Sequence, residues 1–185
     1  RKDRLTRGAW IEAALDVISR DGVDAVAVEP LARALGATKG SFYWHFADRA
    51  ELVAAALAHW EGLATDETIA ELDAIADPRV RLEALIHVAF GDERMALDAA
   101  LASSGDHPVV GPVVARVTVR RIGFLARAYA QCGLAAPAAR RRAHVAYATY
   151  LGLAQLARVA DDVRVPLPRR GAMMRDVTAL LVPPR

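Results

Sequence analysis

The chain has 185 residues, enough for one large domain or a small one joined to a larger one, and its 54% apolar fraction comes chiefly from Ala, Leu and Val with only 6% aromatics, so an all-α fold is expected. Cys132 is the single cysteine, which excludes an intramolecular disulfide and a cysteine-built zinc site, and no apolar run approaches the roughly 20 residues that span a bilayer, so the expectation is a soluble, cytoplasmic protein with no membrane partner. The net charge of +2 is weak evidence for a nucleic-acid partner, but it is unevenly spread: residues 1–47 carry +1, residues 48–106 carry −9 and residues 107–185 carry +10.

The first predicted helix runs from Leu5 to Asp21, with Ile11, Ala14, Leu15 and Ile18 at helical spacing, Thr6 as N-cap and Gly22 as stop. A second, short helix is expected near residues 27–35, where Val28, Leu31, Ala32 and Leu35 recur and Pro30 is admissible only in the first turn. Gly36-Ala37 makes a tight turn, Thr38 caps a third helix near residues 39–45, and Phe42 and Phe46 place two rings one turn apart. Asp48 caps a long fourth helix fading around Ala70, with Leu52, Ala55, Ala56, His59, Trp60 and Leu63 at spacings of three and four. Further helices are expected at roughly 79–90, 93–102, 108–132, 136–160 and 170–182. The breaks between them fall at Asp77-Pro78, Gly91-Asp92, Ser103-Ser104-Gly105, Gly133 and Val165-Pro166-Leu167-Pro168. Pro112 lies near the start of one of these, so that helix begins late or is kinked.

Two short helices joined by a glycine turn and preceded by a longer one form a three-helix unit that presents its last helix to the DNA major groove. With Phe42 and Phe46 turned inward, Gly40 and Trp44 occupy the opposite face, flanked by Ser41 and Tyr43, with Lys39 projecting from the first turn. Lys39 suits a phosphate or a guanine edge, Tyr43 a phosphate, Gly40 a close backbone approach and Trp44 a thymine methyl or sugar. Arg33, on the second helix, reaches either the DNA or solvent.

The run Thr38-Lys39-Gly40-Ser41-Phe42-Tyr43-Trp44-His45-Phe46, followed by Asp48-Arg49-Ala50-Glu51-Leu52 and preceded by Ala13-Ala14-Leu15 and Gly22, resembles the N-terminal signature of TetR-family transcriptional regulators. The resemblance covers roughly residues 5–55 and implies a helix-turn-helix DNA-binding domain at 1–47. It likewise implies a helical ligand-sensing and dimerisation domain at 48–185 that begins with a connecting helix at 48–70. It implies that Thr38, Lys39, Gly40, Ser41, Tyr43, Trp44 and His45 line operator DNA, with Arg49 at a phosphate. Where the family often has a hydroxyl residue at the start of the second helix, this chain has Val26 and Ala27. The family's homodimers bind palindromic operators. The small-residue segment Ala143 to Ala157 and the apolar stripe Met173, Val177, Leu180 and Leu181 fit its four-helix dimer interface.

Histidines at 45, 59, 87, 107 and 144 lack metal-site spacing, Ser104, Asp106 and His107 sit in a helix connection without a strand-turn-helix elbow, and no phosphate-loop glycine pattern occurs. No enzyme activity, metal or cofactor is expected. Trp60, Phe90, Met95, Phe124, Tyr147 and Tyr150 either line an effector cavity in the helical domain or belong to plain core. Two readings stand: a ligand-responsive DNA-binding repressor with a small, largely apolar effector, and a helical binding protein whose helix-turn-helix packs on a protein partner.

Overall fold

Capping chemistry places the first elements where the sequence does. The computed structural model describes residues 5–91, 95–159 and 170–184. In it α1 (Arg7–Asp21) begins where the Thr6 hydroxyl accepts the Ala9 N–H at 3.2 Å, and ends at Gly22, whose φ of +85° suits only glycine. A 3-10 turn at Val23–Ala25 leads to α2 (Val28–Ala34), and Thr38 caps α3 (Lys39–Tyr43) by accepting the Ser41 N–H at 3.2 Å. Asp48 caps α4 (Arg49–Glu61) through the Glu51 N–H at 2.8 Å, while the Glu51 carboxylate reaches back to accept the Ala47 N–H at 2.7 Å.

The expected single helix from 48 to about 70 is interrupted. Residues Gly62–Glu67 form a π-helical segment before α5 (Thr68–Asp73). The later elements fall close to the sequence prediction: α6 (Pro78–Gly91), α7 (Met95–Ala102), α8 (Val110–Gln131), α9 (Ala136–Val159) and α10 (Arg170–Leu181). Pro112 sits in the first turn of α8, where its missing N–H costs nothing, so it neither delays nor kinks that helix. The Nδ1 of His107 accepts the N–H groups of Val109 and Val110 at 3.2 and 3.3 Å, which gives His107 a capping role in the loop before α8. The expected breaks at Asp92 and at 165–168 lie outside the described residues. Among the described residues there is no strand, and no helix long and apolar enough to cross a membrane.

Two hydrophobic cores organise the helices. The first joins Trp10, Ala14 and Ile18 of α1, Phe42, Phe46 and the inner face of α4, then continues into Leu97 and Leu101 of α7 and Val110 and Val117 of α8. The three-helix unit therefore shares its core with the helices beyond it. The second core gathers Leu82 and Ile86 of α6, Leu125, Ala128 and Tyr129 of α8, Ala143 and Tyr147 of α9 and Val177 and Leu181 of α10. Helix α8 contributes to both, so its displacement is felt at each end of the molecule.

Candidate DNA-binding face and effector pocket

Helix α3 has only five residues and owes its position to packing. Phe42 and Phe46 are buried and stacked with centroids 5.5 Å apart, and Trp10 meets Phe42 edge-on at 5.4 Å. Each such buried side chain contributes about 1.5–3 kcal/mol, enough to hold a helix too short to stand alone. The opposite face is open: Thr38, Lys39 and Gly40 are exposed, Ser41 is half-buried, Tyr43 is 60% exposed and Trp44 is 74% exposed. Arg33 is exposed on α2.

The predicted DNA contacts Lys39, His45 and Arg49 reach partners on other elements of the protein. Lys39 Nζ forms an ion pair with the Glu29 carboxylate on α2, and their hydrogen bond, reinforced by charge, lowers the Glu29 pKa and raises that of Lys39. The pair is solvent-exposed and therefore readily exchanged for a phosphate. His45 is half-buried and turns back toward the entry of α1, where its Nε2 donates to the Leu5 carbonyl at 2.8 Å. Arg49 donates from Nε to the Val26 carbonyl at 2.6 Å and from Nη2 to the Val23 carbonyl at 2.7 Å, clamping the turn ahead of α2. Both residues thus fix the angle at which α3 is presented. Ala27 caps α2 without a side-chain hydrogen bond, as its identity dictates.

A cavity of about 100 Å³ lies among α5, α6, α8 and α9, bounded by the π-helical segment and by α7 and α10. Phe90, Phe124, Tyr147 and Tyr150 are among its lining residues. Trp60 and Met95 are not: Trp60 is buried in the first core, and its indole N–H donates to Asp98 at 2.6 Å from behind the wall. Asp98 was missed by sequence reading. It is a buried carboxylate that also accepts from the Tyr150 hydroxyl at 2.9 Å and from Arg121. Arg121 in turn donates to Thr65 Oγ1 at 3.0 Å and to the Ala64 carbonyl at 2.9 Å, both in the π-helical segment. Burial opposes the guanidinium charge, but Asp98 outweighs it and the Arg121 pKa lies above its ordinary value. Burial, then Asp98, pushes the Tyr150 hydroxyl upward. A signal for both residues was present, because Asp98 is the lone charge in the apolar run Met95 to Ala102 and Arg121 falls on the inward stripe of Val117, Phe124 and Ala128.

Residues 11–56 match the family model described as bacterial regulatory proteins, tetR family. The regulator BetI of Rhizobium meliloti (strain 1021) is 33% identical over 92 residues, which are 50% of this chain and 45% of that protein. Over this segment the chain is similar to the tetR family. It spans less than half the length of the curated tetR-family relatives it matches. Its fold is that of solved tetR-family proteins: a regulator from Agrobacterium tumefaciens superposes with a TM-score of 0.75 at 22% identity, covering 96% of this chain and 97% of that one. A regulator from Saccharomonospora viridis, solved in complex with choline, superposes with a TM-score of 0.74 at 20% identity, covering 94% of each. The relatives named here are transcriptional regulators, and the segment that matches the tetR-family model contains the whole exposed face of α3.

Proposed function

We propose that this chain is a ligand-responsive, DNA-binding transcriptional regulator that represses from a palindromic operator as a homodimer and is released by a small, largely apolar effector. The observation that carries this reading is the exposed surface of Lys39, Gly40 and Tyr43 on α3 and of Trp44 at its C-cap, pinned from behind by Phe42 and Phe46. A cation, a phenol and an indole exposed together on α3 and its C-cap residue fit a groove partner better than an isolated fold. Arg33, Thr38 and Ser41 extend that surface, whereas His45 and Arg49 orient it. Residues 1–47 serve as the DNA-binding domain and 48–185 as the sensing and dimerisation domain. Phe90, Phe124, Tyr147 and Tyr150 are its proposed effector contacts, and a protein sharing this fold was solved in complex with a small molecule, choline.

Duplexes selected from a random pool by the purified protein, followed by titration over a range of salt, test the reading. DNA binding releases counterions, so affinity should fall steeply with salt, and Lys39→Ala should lower the slope by about one if Lys39 meets a phosphate. A flat salt response with no selected sequence would instead favour docking on a protein partner.

A further inference from the structure

The walls of the cavity among α5, α6, α8 and α9 are apolar or aromatic almost throughout, and among the described lining residues the carboxylate and the guanidinium number one each. These two, Asp98 and Arg121, are paired with one another. Both oxygens of Asp98 are engaged: Oδ1 accepts from Trp60 and Oδ2 from Arg121 and Tyr150. Arg121 donates to Asp98, Thr65 and Ala64, yet a guanidinium carries more N–H groups than these acceptors use. The lining therefore has no net charge to offer, but it retains hydrogen-bond donors on Arg121 and acceptor lone pairs on the tyrosine hydroxyls.

We infer that the pocket selects an uncharged ligand with an apolar body and a single carbonyl or hydroxyl oxygen directed at Arg121, and rejects the anion and the cation of the same shape. The inference rests on the reading that this cavity is the effector site. An anion entering here meets Asp98 as well as Arg121, and a cation the reverse. Either gains a counter-charge only by breaking a buried pair, which leaves the displaced partner uncompensated in a low dielectric. A neutral oxygen accepts from the spare N–H of Arg121 and leaves the pair intact. The Asp98–Arg121 pair thus acts as the specificity determinant of the pocket.

Three probes of one shape distinguish the cases: benzyl alcohol, benzoate and benzylammonium, titrated at neutral pH against the whole chain by ligand-observed NMR, with Overhauser contacts to the Phe124 and Tyr150 rings locating the bound probe. Benzyl alcohol should bind roughly tenfold or more tightly than either ion. Asp98→Asn should raise the affinity for benzoate alone, and Arg121→Gln that for benzylammonium alone. The paired variant Asp98→Asn/Arg121→Gln, which keeps polar groups at both positions, should restore the preference for the alcohol. Should a single variant fail to fold, the ranking in the unaltered protein and in the paired variant decides. An ion that binds the unaltered protein as tightly as the alcohol, in contact with Phe124, overturns the proposed ligand class and leaves the pocket reading standing. No contact from any probe to Phe124 or Tyr150 overturns the pocket reading and this inference together.

Discussion

Gly40 has no duty to the fold. A Cβ placed there would meet only the Thr38 hydroxyl, at the ordinary distance of 3.7 Å, and the residue is exposed within a right-handed helix. Alanine should therefore stabilise the chain by about 0.5–1 kcal/mol through helix propensity. If the bare backbone is there to let DNA approach, Gly40→Ala should raise the thermal midpoint and yet weaken binding to the selected duplex. Unchanged affinity would remove Gly40 from the interface. The phenol of Tyr129 makes the opposite case, a polar group serving the core. It donates to the Leu181 carbonyl at 2.9 Å, and burial pushes its pKa from 10.0 up to about 12. The folded-state pKa lies above the unfolded one, so this contribution to stability is complete below about pH 10 and disappears as the pH rises through 12. Denaturant midpoints measured from pH 8 to pH 12 should fall over the alkaline half of that range, and less steeply in Tyr129→Phe.

At the scale of elements, the turn before α8 shows how tightly one helix start is specified. The loop carbonyl of Gly105 lies so close to Gly111 that an added Cβ would collide with backbone, which cannot swing aside as a side chain can. Gly111→Ala should accordingly destabilise the chain by roughly 1–3 kcal/mol, measured by chemical unfolding, even though alanine is the better helix former. That constraint was invisible in the sequence because it joins residues across a loop of no regular period. Helix positions were legible wherever caps and periodicity agree: Thr6, Thr38 and Asp48 each cap the predicted helix, and Gly22 ends α1. The π-helical segment was not legible, since Arg121, which donates to its Ala64 carbonyl and Thr65 hydroxyl, comes from more than fifty residues away. Inward-facing aromatics of the pocket could be read from spacing, but Trp60 could not be told from them. Its indole N–H points at the same Asp98 from the other side.

Across the whole molecule, the proposed effector pocket and the exposed face of α3 are joined through α8 and the connecting helix. Arg116 donates to Glu61 at 2.7 Å, Arg120 pairs with Asp66 and Arg121 holds Ala64, so one face of α8 is fastened to the end of α4 and the π-helical segment beyond it. A shift of α8 has a path to the three-helix unit, but a tilt of that unit changes operator affinity only where a second copy fixes the distance between two recognition helices. The second copy needs a surface. Ala146, Ala154, Val177 and Leu181, expected at the dimer interface, are buried within the chain itself, and Leu153 is half-buried. Gly152, Leu156 and Leu180, expected there as well, do face outward, and Val145 and Ala148 on α9 are also among the described apolar residues that are exposed. A Cβ on Gly152 would meet nothing within 4 Å, so its own fold does not demand glycine, whereas close approach of a partner helix would. Leu156, 50% exposed, is the residue to charge, because arginine there is harmless to a monomer and buried in a dimer. Leu156→Arg should keep the helical circular dichroism and thermal midpoint of an intact monomer, sediment as a monomer, and bind the palindrome roughly 100-fold more weakly, since the second half-site no longer benefits from the effective concentration of a linked partner. A variant that still sediments as a dimer would move the interface off α9.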